Sequence, residues 1–472
     1  MRGNYDAFCR QAQKVGDFIL AMDNPLVVHH YDADGLSSGG LVANALTRAG
    51  TKFGRLVLKK IDDDGLSLAF DTLKQNNHGG IVFVDLGSGQ NAMLEERFVA
   101  KGITTVVIDH HVPQKQIPSP LYMQANCMDY GFEGGTDASA ASTAYYCFRH
   151  ISGNEDLVQL AIVGAVGDIQ DASGLIELNR VLVQEGVASG KVQIQKGIKL
   201  FGRVSRSLVG FLCYASEPFL PGLTGDEKAC GLFLDDNGIP IRAPDGEWYH
   251  YNDLDDATQK KLASAIIVHL LSKGVAQDVV AELAGEVYEF PFEQKHSIVF
   301  DAHEYSTLLN ACGRHEQVQI GINVTMKVPG ALEDAESVLR IHRTMISRGI
   351  SFAKRNTDDL GAYYFLDARG KIEDSIIGTV IGSYFNSGAV ARTKPILGFS
   401  LDEKGNVKAS GRANKALIAA GTDLNALMRE SAKAAGGLGG GHKIAAGASF
   451  PPGKENVFLM KAAEIAKSQF RA

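Results

Sequence analysis

The feature that most constrains this chain is a junction repeated three times in its first third, where a short apolar run stops abruptly at acidic or histidine residues. Pro25-Leu26-Val27-Val28 leads into His29-His30-Tyr31-Asp32-Ala33-Asp34-Gly35. Ile81-Val82-Phe83-Val84 leads into Asp85-Leu86-Gly87, and Thr104-Thr105-Val106-Val107-Ile108 into Asp109-His110-His111. Apolar runs this short have the length of buried strands rather than helices. Leu36 to Arg48 has helical spacing, with Gly50 placed as a C-cap. Buried strands separated by helical stretches predict an α/β fold with a parallel sheet covered on both faces. The polar residues fall just beyond the strand ends, where open α/β sheets bind ligands.

Composition narrows the class. At 472 residues, 45% hydrophobic and 21% charged, the chain is globular and long enough for two or three domains. The 47 Lys+Arg against 54 Asp+Glu leave a net charge of -7, so an anionic ligand needs a local device rather than a basic surface. The six cysteines form no CxxC pair, which excludes a zinc ribbon and reads as buried reduced thiols. The opening MRGNYDAFCRQ has no apolar signal core and no run approaches a membrane span, so a cytoplasmic protein is expected.

Further along, a helix over Asp156 to Val166 delivers Gly167-Asp168. The turn signals Asp235-Asp236-Asn237-Gly238 and Pro244-Asp245-Gly246 bracket Ile239 to Arg242 and predict a small inserted hairpin, followed by an amphipathic helix over Asp256 to Lys273. Lys196, Lys199, Arg203 and Arg206 recur at helix-like spacing, as a solvated helix face or a track for phosphates. Trp248 and Tyr249 read as hairpin packing rather than as a base-stacking platform. Domain boundaries are expected near 185 and 300.

Four polar clusters therefore end core elements: His30-x-Asp32-x-Asp34, Asp85, Asp109-His110-His111 and Asp168. Alternation points His30, Asp32 and Asp34 the same way if that segment stays extended. Carboxylates and imidazoles without thiols suit Mn²⁺ or Mg²⁺. Asp32, Asp34, Asp85 and Asp168 carry charge that two divalent cations would neutralise; without metal, some would take up protons.

The ordered set H-x-D-x-D-G, V-D-L-G, D-H-H and G-D resembles the four motifs of the DHH phosphoesterase superfamily. Gly436 to His442, followed by Ala445-Ala446-Gly447, is similar to the GGGH signature of the DHH-associated C-terminal domain, and Lys408-Ala409-Ser410-Gly411-Arg412 to its S-x-R strand. Glu304 to Arg314 resembles the archaeal RecJ-like branch, which includes the GINS-associated nuclease and is related to a eukaryotic replicative-helicase subunit. The resemblance implies a parallel-sheet DHH domain over 1–185, a helical linker with an inserted hairpin and helix over 186–300, and a smaller mixed α/β substrate-binding domain over 301–472.

It also implies roles. His30, Asp32 and Asp85 would hold one divalent cation and Asp34, Asp85, His110 and Asp168 the other, with Asp85 bridging. His111 would contact phosphate or act as an acid, and Asp109 would orient a histidine. Ser410, Arg412, Gly439, Gly440, Gly441 and His442 would hold substrate, the glycines by letting backbone N–H groups approach it. The C-terminal domain is expected to face the metals. The implied activity is a metal-dependent exonuclease on single-stranded DNA or RNA, acting in replication or repair. The alternatives are a short-oligonucleotide or cyclic-dinucleotide phosphodiesterase, and a replisome adaptor with secondary nuclease activity. GINS or replicative-helicase components are the expected partners, with no membrane association.

Overall fold

The computed structural model describes residues 1–215 and 218–469. Its first sheet comprises β1 (Leu26–His29), β2 (Gly54–Val57), β3 (Gly80–Val84), β4 (Thr104–Asp109) and β5 (Tyr122–Asn126), all parallel, in the order β2-β1-β3-β4-β5. Side-chain alternation divides the apolar runs between two cores. Val27, Val82, Val84, Val106 and Ile108 join a core that also holds Phe8, Leu46, Tyr146 and Ile162. Leu26, Val28, Ile81, Phe83 and Val107 join Leu66, Leu73 and Phe98 on the opposite face. Each such side chain contributes about 1.5–3 kcal/mol on burial, so both faces must be apolar and the runs are continuous. β2 escapes the sequence pattern because it is a half-buried edge, and β5 because Gln124 and Asn126 interrupt it.

Because β1 has β2 on one side and β3 on the other, the strand order reverses there, and the crevice opens at the carboxyl ends of β1 and β3. The chain does not stay extended beyond β1. Asp32 caps the helix Ala33–Arg48, its Oδ1 accepting from Gly35 N–H at 3.0 Å, and Asp34 lies in the first turn. The expected alternation of His30, Asp32 and Asp34 is thus replaced by a helix start, which Asp at the N-cap favours.

By its contacts the chain divides into Met1–Arg206 with Ala284–Leu339, and Ser207–Leu283 with Arg340–Ala472. The segment 186–300 is thereby shared between the two. β6 (Gln193–Ile198) pairs antiparallel with β7 (Ala284–Glu289), which returns the chain to the first unit. The last three residues of the expected 301–472 segment lie outside the described residues. The helix Ala331–Asn356 carries the chain from the first unit into the second.

The basic residues expected on a helix are not on one. Lys196 lies on β6, and Lys199 donates to Asp171 Oδ2 at 2.7 Å. Arg203 is 2% exposed and pairs with Asp301 and Glu289. Burial with two carboxylates removes Arg203 from any phosphate track. The expected hairpin is also reduced. Asp235 and Asp236 end the helix Glu227–Asp236, and the turn that follows is closed by one bridge, Arg242 to Trp248. The Arg242 guanidinium lies 3.6 Å over the Trp248 ring, which accounts for that tryptophan within its own turn. The helix Asp256–Ser272 buries Leu262, Ile266 and Leu270 at four-residue spacing.

The second unit holds a mixed sheet of β8 (Thr357–Asp359), β9 (Tyr364–Asp367), β10 (Ile396–Leu401), β11 (Val407–Arg412), β12 (Leu438–Gly441) and β13 (Ala445–Phe450), ordered β12-β13-β11-β10-β9-β8. β9 and β10 are parallel and the other pairs antiparallel. Its core includes Leu397, Phe399, Met428, Phe450 and Phe458. Among the described residues no helix is long and apolar enough to cross a membrane.

Candidate metal centre

The ends of β1, β3 and β4 and the end of the helix Val158–Gly167 place His30, Asp85, His110 and Asp168 in one cluster. His30 Nδ1 lies 2.9 Å from Asp32 Oδ2 and 3.4 Å from Asp85 Oδ2. His110 Nε2 lies 3.4 Å from Asp85 Oδ1, 3.3 Å from Asp168 Oδ2 and 3.8 Å from Asp34 Oδ2. Potential ligand atoms of His30, Asp32 and Asp85 lie within 4.8 Å of one another, as do those of Asp34, His110 and Asp168. The helix start after β1 separates Asp32 from Asp34 and sends them to different groups. Asp85 reaches a histidine of each.

Local packing fixes these side chains. Asp34 is fully buried and accepts from the N–H groups of Ala140 (2.7 Å) and Ala141 (2.9 Å), at the start of the helix Ala140–Phe148. A Cβ at Gly164 would stand 2.2 Å from Asp34 Oδ1, so this carboxylate requires glycine opposite it. Asp85 follows β3 with φ 62, a left-handed position that Asp tolerates better than most residues. His110 Nδ1–H donates to the Gly134 carbonyl at 2.7 Å, leaving Nε2 to face the carboxylates. Fixing one ring nitrogen on a carbonyl is the usual way a protein aims the other at a metal.

Asp109 is engaged on both oxygens. Oδ2 accepts from Ser88 N–H and O–H at 3.0 and 2.7 Å, and Oδ1 accepts from His110 N–H at 2.8 Å and His111 Nδ1–H at 2.8 Å. It orients His111, whose ring is 58% exposed.

The electrostatics fit a cation. Burial, aided by the Asp85 charge, pushes the Asp34 carboxyl up to about 7. Burial and the Asp34 charge likewise raise Asp168 well above the carboxylate range. Burial opposes charge on His30, but its bonds to Asp32 and Asp85 outweigh it and lift the ring to about 11. His110 is raised in the same manner by Asp85, Asp168 and Asp34. Protons thus gather where positive charge is wanted, and Asp85 Oδ1, buried, finds no hydrogen-bond donor in good geometry among the described residues. That donor set, all oxygen and imidazole, suits a hard or borderline divalent ion.

The C-terminal residues singled out in the sequence occupy one end and one row of the second sheet. Arg412 pairs with Ala445 in register, and His442 N–H donates to the Ala445 carbonyl at 2.9 Å, so Arg412 and His442 flank one residue. Ser410, Gly447 and Gly440 form a row across β11, β13 and β12. The three glycines differ. A Cβ at Gly439 would meet the Met428 carbonyl at 2.5 Å, and Gly441 has φ 134, so both are demanded by the fold. A Cβ at Gly440 would meet nothing nearer than Asn425 Oδ1 at 3.7 Å.

Sequence reasoning did not assign roles to Gly134, Ala140, Ala141 or Gly164, because they act through backbone atoms or through the absence of a side chain, nor to Ser88, whose N–H and O–H both bond Asp109. Asn310 is another. Its Oδ1 accepts from Ala33 N–H at 3.0 Å and so pins the turn between Asp32 and Asp34. It lies within the Glu304–Arg314 stretch whose resemblance gave it no role.

Comparison with known families closes the question of kinship. Residues 24–165 match the DHH family, N-terminal domain, residues 200–284 the DHH-CID domain and residues 362–468 the DHHA1 domain. The chain belongs to the DHH family. With that membership goes metal-dependent phosphoester hydrolysis. This DHH protein is 29% identical over 451 residues to an uncharacterized protein of Methanocaldococcus jannaschii, covering 94% of each chain. It is 26% identical over 265 residues to the single-stranded-DNA-specific exonuclease RecJ of Thermus thermophilus, covering 54% of this chain and 40% of the relative. It therefore spans less than half of that curated RecJ. In fold it is similar to Thermus thermophilus RecJ in complex with Mn²⁺, with TM-score 0.58, 16% identity and coverage of 98% of this chain and 55% of the other. CDC45 from Entamoeba histolytica gives TM-score 0.57 at 12% identity, covering 98% of both.

Proposed function

We propose that this DHH protein is an exonuclease that hydrolyses phosphodiester bonds of single-stranded DNA or RNA from an end, using two divalent cations, Mn²⁺ or Mg²⁺. The observation that carries the reading is Asp85, whose two carboxylate oxygens face His30 and His110 in separate donor groups. His30, Asp32 and Asp85 hold one cation, and Asp34, Asp85, His110 and Asp168 the other. Such a pair supplies Lewis acidity, which makes water a nucleophile at neutral pH and neutralises charge on the phosphate. His111, oriented by Asp109, contacts the phosphate or donates a proton to the leaving oxygen. Ser410, Arg412, His442 and the backbone of Gly439, Gly440 and Gly441 hold the strand, Arg412 by forked donation to phosphate. The substrate class follows the name of the Thermus thermophilus relative.

The test is hydrolysis of end-labelled DNA and RNA, single- and double-stranded, with Mn²⁺ or Mg²⁺. A ladder of mononucleotide steps on single strands supports the reading, whereas cleavage confined to dinucleotides points to a short-oligonucleotide phosphodiesterase. A partner role for the DHH-CID residues is proposed on separate ground, the exposure of Leu232, Val268 and Leu271 on their helices. GINS or replicative-helicase components are the partners proposed; Leu232→Ser combined with Val268→Ser should lower co-purification, and wild-type yield would remove this surface.

A further inference from the structure

The helix Val158–Gly167 ends in a way that its sequence does not favour. Ile169 N–H donates to the Val166 carbonyl at 3.0 Å and Gln170 N–H to the Ala165 carbonyl at 3.0 Å, the paired bonds of a Schellman close. In that motif the residue after the cap adopts a left-handed conformation and is usually glycine. Here it is Ile169, at φ 59. A β-branched residue is among the least suited to that region. Packing does not compensate, because Ile169 is 74% exposed. Nor is the surrounding loop loose. Gln170 and Asp171 on its other side are 5% and 3% exposed, and Gln170 donates to the Gly134 and Ala138 carbonyls.

Its position gives the outlier a meaning. Ile169 directly follows Asp168, a candidate ligand 3.3 Å from His110 Nε2. Val112, also 74% exposed, directly follows His110-His111 on the neighbouring junction. Two exposed β-branched side chains thus border residues of the same metal cluster, whose own groups are carboxylates and imidazoles. A nucleotide strand offers both chemistries, an anionic phosphate and the apolar faces of sugar and base.

We propose that Ile169, with Val112, forms an apolar rim at the metal centre that packs against the sugar and base next to the scissile phosphate. Both are positioning residues, and the inference rests on the single-strand nuclease reading. The strain at Ile169 persists because glycine, which would relieve it, would remove the contact.

The experiment compares Ile169→Gly and Val112→Thr with the wild-type chain in Mn²⁺, using a single-stranded oligonucleotide and methyl p-nitrophenyl phosphate, which has neither sugar nor base. Ile169→Gly should keep or raise Tm, by roughly 2–4 °C. KM for the oligonucleotide should rise about fivefold to tenfold, as loss of apolar contact area predicts, with kcat on the small diester unchanged. Val112→Thr keeps shape and adds a hydroxyl, and should raise KM in the same direction. An unchanged oligonucleotide KM in both variants, with wild-type turnover intact, overturns the rim while leaving the nuclease reading in place. Equal loss on both substrates with lowered metal content also overturns it, by assigning Ile169 to the shape of Asp168. A wild-type chain that leaves every single strand intact overturns the nuclease reading itself.

Discussion

Asp85 concentrates the proposed chemistry of the first unit in one residue. It is 2% exposed, held at φ 62, and placed between two histidines. Asn tolerates that backbone, so Asp85→Asn should fold with an unchanged Tm yet lose turnover on the order of a thousandfold. Its metal stoichiometry, read by mass spectrometry under native conditions, should fall below that of wild type. Retained stoichiometry with normal turnover would remove the bridging role. Among the glycines of β12, Gly440→Ala should leave the melting temperature unchanged and weaken binding of a labelled single strand. Gly439→Ala should instead destabilise by about 1–3 kcal/mol, because its Cβ would strike the Met428 carbonyl. Identical behaviour of the two variants in both measurements would mean that Gly440 is only a fold residue. The clustering of His30, Asp32, Asp34, Asp85, His110 and Asp168 was legible in the sequence because these polar groups fall where apolar elements end. Their supports were not, since the Gly134 carbonyl and the Ala140 amide carry no side-chain signature.

Elements with strong periodicity were equally legible. The strands at Leu26–His29, Gly80–Val84 and Thr104–Asp109 stand where the apolar runs predict them, within one residue at their ends. The stretch from Lys196 to Arg206 is less legible, because helical spacing predicts a solvated face or a phosphate track, whereas tertiary pairing draws Lys199 and Arg203 inward and leaves Lys196 exposed on a strand. Asp171 is the clearest partner in that pairing. Burial disfavours its charge, but His303 at 2.8 Å and Lys199 at 2.7 Å outweigh that and hold its carboxyl at about 2, below the ordinary 3.8. The unfolded chain therefore binds this proton more tightly, and the ionised form stabilises the fold above about pH 4. Asp171→Asn should cost roughly 2 kcal/mol at pH 7 by denaturant titration, the difference from wild type narrowing as pH falls from 4 toward 2. A difference independent of pH across that window would show that the ion pairs contribute nothing specific.

At the scale of the molecule, the candidate ligands come from His30 through Asp168, so occupancy should report on the whole first unit. Addition of Mn²⁺ to chelated protein at a hundredfold excess over its dissociation constant stabilises by about 2.7 kcal/mol. Tm should rise by about 5 °C on a unit of this size, and Asp85→Asn should blunt the shift. No shift in wild type, measured by calorimetry, would argue against a metal held by this cluster. The pairing of β6 with β7 has a further consequence, one of timing. Residues 207–283, which belong to the second unit, leave the ribosome before Ala284–Leu339, which complete the first. The unit that carries every candidate ligand is begun before the second unit in translation, yet the nascent chain cannot finish it until the strand and helices after Ala284 have emerged. Until then Asn310, which pins the turn between Asp32 and Asp34, has not been made. A ribosome-bound chain stalled before that point should be protease-sensitive in its metal unit, and one stalled well beyond Leu339 should be resistant.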